Sequence, residues 1–219
     1  MILGIKKLNF SMFVLASASK ARQKLLDQIA LEHIVIVSDF DETQIQELDP
    51  KLKAKLLAKG KADSALNKLL KENHALKSSI ALLSCDSLFE FDGEIFEKPT
   101  SKEQLISRWQ RMSGKKGVLH TGHFLIALNN FTEDMKLHSL KKFSEGVVST
   151  KVEFICLSNY EILKYASTLE PYNCSGGFAI EGYGGIFIKK IEGCFSNVIG
   201  LSLPWLKTNL EKLGLSEMI

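Results

Sequence analysis

A short apolar run that turns at once into an amphipathic helix constrains this chain more than any other feature. Residues 14–26, VLASASKARQKLL, read as a buried strand from Met12 to Ala16 followed by a helix that starts near Ser19. That succession is the opening of an α/β unit. Two hydroxyls, Ser17 and Ser19, stand at the junction, and Arg22 follows one turn in. A helix start leaves backbone N–H groups unpaired at the positive end of a dipole, which suits an anion. Arg22 adds a planar fork of donors matched to phosphate oxygens. A plainer reading makes Ser19 an ordinary cap and Arg22 a solvated charge. Against it, Arg22 precedes Leu25 and Leu26 by three and four residues and so shares their buried face. A half-buried guanidinium there calls for an anionic partner.

The rest of the pattern continues in the same style. A β-branched run covers 33–38, an acidic loop SDFDET follows, and a long helix spans 49–71, opened by Asp49-Pro50. A second apolar strand covers 79–84, with Asp86 just past it, and LFEFDGEIFEKP reads as a hairpin turning at Asp92-Gly93. A helix from Ser101 to Met112 leads into strand-like runs over 117–155, with Asn129-Asn130 and Glu145-Gly146 as candidate turns. A helix at 158–167, a glycine-rich stretch from Ser175 to Gly185, a strand GIFIKKI and a final helix from Ser202 to Leu213 complete the chain. Helices separate the early strands and hairpins dominate the middle. The expected class is α/β in the mixed α+β sense, one mixed sheet with helices on its faces.

Four polar features follow predicted strands: the Ser17–Arg22 junction, Asp41-Glu42, Asp86 and Lys98-Pro99. Ligands of open α/β sheets bind at the carboxyl ends of strands. Cations there hold phosphate oxygens, and carboxylates hold a divalent metal or orient water, so the set suits phosphoryl chemistry. Each residue also has a duller role: Asp86 as a cap, Lys98 as a solvated loop lysine, Glu42 as surface charge. On the long helix, Lys61 shares a partly apolar face, and Lys59 fits the periodicity nearly as well.

Several classes are excluded. There is no Walker loop, no H-E-x-x-H, and no G-x-G-x-x-G opening a helix. The charges are interspersed around a net of +3, which speaks against a dedicated nucleic-acid binder. The four cysteines have no zinc spacing and read as reduced thiols of a cytoplasmic protein. No apolar run is long enough to span a bilayer, and the N-terminus does not read as a signal peptide.

Taken in order, LASASKARQKLL, SDFDET, KGKADSAL, SCDSLFEFDGEIFEKP, RMSGKKGVLHTG and GGFAIEGYGGIFIKKIEGCFSNVIGLSLPWL resemble the successive motifs of the Maf family of nucleoside triphosphate pyrophosphatases. The resemblance runs from about Met12 to Leu213. It implies a single domain over 1–219, with an elongated mixed sheet and two lobes around a nucleotide cleft, similar to inosine triphosphatases. It implies hydrolysis of a nucleoside triphosphate to monophosphate and pyrophosphate with a divalent cation, Mg²⁺ or Mn²⁺. By position, Asp86 becomes the catalytic carboxylate, and Glu42 with Asp86 the metal ligands. Ser17, Ser19, Arg22, Lys61 and Lys98 become the substrate-binding set. The triphosphate is then the partner, with neither nucleic acid nor membrane, and a homodimer left open.

The chain departs from the family pattern where specificity is set. Lys20 and Ala21 replace the usual Pro and first Arg, Ser87 stands where Thr or Gln is common, and Ser202 replaces a Pro. Glu181 resembles the branch acting on 7-methyl-GTP, where other members carry Gln. Glu accepts hydrogen bonds and cannot donate them, which suits a guanine edge or a cationic methylated base. Modified or non-canonical nucleotides are therefore the expected substrates. The alternative is a nucleotide-binding regulator of septum formation with little turnover, and a third reading is a phosphatase for another phosphoester.

Overall fold

The computed structural model describes residues 10–72, 79–128 and 141–219. They form seven strands and six α-helices. β1 (Phe10–Leu15), α1 (Lys20–Gln28), β2 (Ile34–Val35) and α2 (Pro50–Glu72) come first. β3 (Ser79–Phe91), β4 (Glu94–Phe96), α3 (Lys102–Met112), β5 (Lys116–Leu128) and β6 (Lys141–Phe154) form the middle. α4 (Asn159–Ala166), β7 (Ile188–Glu192), α5 (Phe195–Ile199) and α6 (Leu203–Leu213) close the chain, with short 3₁₀ turns between 171 and 187.

One sheet carries the order β2-β1-β3-β5-β6-β7, with β4 paired to β3. β1 runs parallel to both β2 and β3, and every other pairing is antiparallel. This is the expected mixed α/β sheet. Local signals set its boundaries. Ser19, Ser101, Ser158 and Ser202 each cap a helix through a side-chain oxygen that accepts a backbone N–H, and Ser158 with Glu161 forms a full capping box. The β3–β4 hairpin turns at Asp92 (φ 49°) and Gly93 (φ 77°), the left-handed pair that such a tight turn requires.

Three expectations are corrected. The run at 33–38 forms only a two-residue strand, because Ile34 and Val35 lie on an exposed edge with β1 on one side. The strand expected to end at Ser84 continues to Phe91, so Asp86 sits inside it, directly opposite Gly122 of β5. Glu145-Gly146 is no turn; Gly146 pairs with His123 within β6. Antiparallel strands buried on both faces alternate too little to show their length. The candidate turn at Asn129-Asn130 lies outside the described residues.

The core has parts on both faces and at both ends. Against α2, the stripe Ala58, Ala62, Ala65, Leu66 and Leu69 buries Val14, Ile80 and Leu82. On the opposite face, Leu25 and Leu26 of α1 and Leu206 and Leu210 of α6 cover Ala81, Leu83 and Cys85. The far half of β3 belongs to an aromatic core of Phe89, Trp109, Phe154, Tyr165, Phe178 and Phe187. β3 and β5 run through both ends, so Asp86 sits where the aliphatic core gives way to the aromatic one.

Candidate active site

The register of β3 opens a gap in the sheet. β1 pairs with β3 as far as Leu15↔Leu83, and Ala16 N–H still donates to Leu83 O at 2.8 Å. β4 joins the same edge only at Phe89↔Phe96, while β5 covers the other edge from Ile80 to Glu90. Among the described residues, no strand pairs with the stretch 84–88 on the β1 side. Its backbone groups are offered to whatever sits beside them, apart from Ser87 O, which accepts from Ser175 Oγ at 2.6 Å.

Side chains alternate across a strand, so Asp86 faces α2 and Ser87 the face of α1 and α6. On the first face, Lys61 Nζ lies between two carboxylates. It pairs with Asp86 Oδ1 and with Glu42 Oε1, the latter at 2.8 Å. Side-chain exposure falls from 57% at Glu42 through 16% at Lys61 to 11% at Asp86, so Glu42 marks the mouth and Asp86 the floor. Lys61 reaches that floor because it lies in the α2 stripe, between buried Ala58 and Ala65; Lys59 points to solvent. Two glycines permit the approach. A Cβ on Gly60 would run into the Phe40 ring, which seats the acidic loop beside Lys61. A Cβ on Gly122 would collide with the α2 backbone at Ala54 and Lys55. Within that loop Asp41 caps the turn bearing Glu42, accepting from Thr43 Oγ1 at 2.7 Å and Thr43 N at 3.0 Å.

Burial pushes the Asp86 carboxyl above the usual carboxylate range, against the opposing charges of Lys61 and Arg22. Burial pulls the Lys61 ammonium down, but its contacts with Asp86 and Glu42 outweigh that and leave it raised. The pair is therefore a held ammonium beside a carboxylate that takes up protons more readily than a surface Asp.

On the second face, Arg22 is fixed through all three of its nitrogens. Nε donates to Gly200 O at 2.8 Å, Nη1 to Ser17 Oγ at 3.0 Å and Nη2 to Ser87 Oγ at 3.1 Å. The anionic partner expected for Arg22 is thus replaced by neutral oxygens. A guanidinium has five N–H donors, so three bonds leave two for a ligand. Ser87 is itself held by Thr121 (Oγ–Oγ1 2.9 Å), which reaches Asn197 O at 3.3 Å. α5, which carries Asn197, and Gly200 just past its end therefore hold the arginine at two points, one direct and one through Thr121 and Ser87.

The structure brings Ser17, Ser19, Arg22, Glu42, Lys61, Asp86 and Ser87 around the gap, with Ser19 capping α1 and partly buried Ala21 beside it. Lys98 is exposed in the loop after β4 and forms no hydrogen bond or ion pair with that set among the described residues. Glu181 is also exposed, in the loop before β7. Local burial and the charge of Glu170 raise its carboxyl, with Lys24 opposing. Lys98, Glu170 and Glu181 all act on the Cys174 thiol, which burial first pushes up to about 12. Thr121, Ser175 and the Gly200 carbonyl were not anticipated. The carbonyl leaves no trace in residue type, whereas Thr121 is a polar exception beside Gly122 in a buried run and is marked by that.

Among the described residues, no three His, Cys, Asp or Glu side chains converge as a protein cage. Glu42 and Asp86 meet at one ammonium. Magnesium is ordinarily held by one or two carboxylates, with phosphate and water completing its shell, so these two residues fit.

Comparison with known proteins agrees with the sequence motifs. Residues 12–213 match the family model described as Maf-like protein. A nucleoside triphosphate pyrophosphatase of Prochlorococcus marinus (strain NATL1A) is 76% identical over 208 residues, covering 95% of this chain and 99% of that protein. The protein of the same name from strain MIT 9301 is 47% identical over 204 residues, covering 91% and 99%. Among solved structures, the Staphylococcus aureus Ham1 protein aligns with 65% of this chain and 71% of its own at 16% identity and a TM-score of 0.32, an overlap too slight to argue from.

Proposed function

The chain belongs to the Maf-like protein family, and from that premise we propose that it is a hydrolase of acid anhydrides, cleaving a nucleoside triphosphate to the monophosphate and pyrophosphate. One observation carries the reading. Two cations, Lys61 and Arg22, approach the bare edge of β3 from opposite faces, with Asp86 between them. An extended polyanion laid along that edge would meet Lys61 on one side and the two free donors of Arg22 on the other. We take residues 1–219 as one domain, with the aliphatic and aromatic cores as two lobes around this edge.

The mechanism follows from charge. As water attacks the α-phosphorus, the bond to the bridging oxygen breaks and negative charge gathers on the departing pyrophosphate. Lys61 and Arg22 are fixed beforehand, so they stabilise that charge without reorganising. Asp86, raised by burial and held by Lys61, accepts a proton from the attacking water. Glu42 and Asp86 would hold a divalent cation, Mg²⁺ or Mn²⁺, which supplies further positive charge at the phosphate oxygens. Ser17 and Ser19 line the start of α1, where a phosphate finds N–H donors. Lys98 serves as an exposed cation at the rim and Glu181 as the reader of the base. A carboxylate there favours a base edge rich in donors or bearing positive charge, hence guanine or 7-methylguanine among modified nucleotides. No described helix is long and apolar enough to cross a membrane.

The test is pyrophosphate release from a panel of ordinary and methylated triphosphates with Mg²⁺ or Mn²⁺. Asp86→Asn should abolish release while nucleotide affinity stays within about tenfold. Wild-type turnover in that variant would remove Asp86 from the chemistry. A wild type that binds nucleotides and turns none over would leave the alternative, a nucleotide-binding regulator of septum formation.

A further inference from the structure

The loop bearing Glu181 turns through short 3₁₀ bonds, and one carboxylate ties it to the core. Glu170 Oε1 accepts from Tyr165 Oη at 2.7 Å and from Gly184 N at 2.8 Å, and Oε2 accepts from Tyr183 N at 2.8 Å. Tyr165 is rigid. It is fully buried in α4 and packs edge-on against Trp109 and Phe187, with ring centroids 5.6 and 5.3 Å away. Two glycines let the carboxylate in. A Cβ on Gly182 would collide with the Glu170 carboxylate, and one on Gly184 would meet Tyr165 Oη at 2.5 Å. The chain of contacts therefore runs from the aromatic core through Tyr165 and Glu170 into the backbone directly after Glu181.

The same segment is docked on the site. Ser175 Oγ donates to Ser87 O, a Cβ on Gly176 would press on the Phe89 ring, and Gly177 O accepts from Trp109 Nε1 at 3.0 Å. Glu170 thus joins a wall that begins beside Asp86 and ends at Glu181. Burial first, and then the negative charge of Glu170, raise the Glu181 carboxyl, so the clamp and Glu181 lie within electrostatic reach of each other.

We propose that Glu170 is a positioning residue for base selection: by gathering Tyr165 Oη and the Tyr183 and Gly184 amides, it fixes where the Glu181 carboxylate meets the nucleobase. This rests on the pyrophosphatase reading. Glu170 bonds to Tyr165 and to the backbone after Glu181, and not to Arg22, Lys61 or Asp86, so its loss should alter which base is preferred and spare the handling of the phosphates.

Glu170→Gln places an NH₂ donor among three donors and breaks the clamp. The experiment measures the dissociation constants of GMP, 7-methyl-GMP, UMP and dTMP and of pyrophosphate, together with kcat/KM for the matching triphosphates, in wild type, Glu170→Gln and Tyr165→Phe. The ratio between the best and worst base should narrow by at least about fivefold in Glu170→Gln, with pyrophosphate affinity unchanged. Tyr165→Phe keeps the ring and loses one of the three bonds, so it should narrow the ratio less. A ratio within about twofold of wild type, with a lowered melting temperature, would make Glu170 a strut and overturn the inference. So would a wild type that binds all four monophosphates alike. A wild type that discriminates among monophosphates yet hydrolyses no triphosphate would sink the pyrophosphatase reading alone, because the binding ratios still judge Glu170.

Discussion

His123 should make this fold acid-sensitive, by an amount that can be worked out. It is fully buried on β5, and its ring stacks on Trp205 at 4.7 Å. Nε2 accepts the Ser202 N–H at 2.9 Å, which puts the ring proton of the neutral form on the buried Nδ1. Burial first, and the charge of Arg22 second, lower its pKa from 6.5 to about 3. In the unfolded chain the ring takes a proton near 6.5, so between 6.5 and about 3 the unfolded state binds more protons and acid favours it. Stability is intact above 6.5 and is lost as pH falls toward the folded value, with a ceiling of about 5 kcal/mol for a shift of this size. Between about pH 7 and about pH 5 the His123 contribution alone is about 2 kcal/mol. His123→Gln is neutral throughout. It should lose about 1–3 kcal/mol at neutral pH, through the broken stack and the weakened bond to Ser202, yet fall about 2 kcal/mol less than wild type on acidification. Urea unfolding of both proteins at the two pH values reads this directly. Parallel losses in wild type and variant would show that the ring is protonated in the folded state and refute the reasoning.

Three further outcomes follow from the site. Lys61→Met removes the foremost charge opposing protonation of Asp86, so the acid limb of the kcat/KM profile should move to higher pH, and an unmoved limb would detach Asp86 from the ionisation that controls turnover. Arg22→Lys puts a point charge where a fork spans Gly200 O, Ser17 and Ser87; steady-state kinetics should show kcat/KM reduced by about tenfold or more, and a smaller loss would deny the fork its role. Gly122→Ala drives a methyl into the α2 backbone opposite Asp86, so denaturant melts should show about 1–3 kcal/mol lost and assays a lower turnover, because α2 carries Lys61; an unaltered variant would mean that α2 does not set the Lys61–Asp86 contact.

Helix ends were legible because they are local. Ser19, Ser101, Ser158 and Ser202 satisfy orphan amides within three residues of themselves, so residue type alone announces them. The Asp92-Gly93 turn was readable for the same reason. Strand length was not, because β3 and β5 are covered on both faces over much of their length and lose the alternation that marks a half-exposed strand. Glu145-Gly146 carried turn chemistry but sits in a ladder against β5, where tertiary pairing overrides local preference.

The site divides in the same way, and the division says how it works. Arg22 was marked by sharing the face of Leu25 and Leu26, yet what holds it, the carbonyl of Gly200, is contributed by backbone far along the chain and leaves no mark in residue type. Lys61 could not be separated from Lys59 by period, because the choice is made by which side of α2 meets Asp86 across Gly122. Asp86 was placed beyond a strand end when it lies inside a strand, and this matters chemically. A loop carboxylate would be wet and movable, whereas β5 pairs β3 on both sides of Asp86 and sets its height against Lys61 to within the give of a sheet. The open position is supplied instead by β1 leaving at Leu83 and β4 arriving at Phe89. Rigid donors beside an unpaired edge are what a preorganised anion site requires, since charge that need not move when the reaction begins costs nothing to bring to bear.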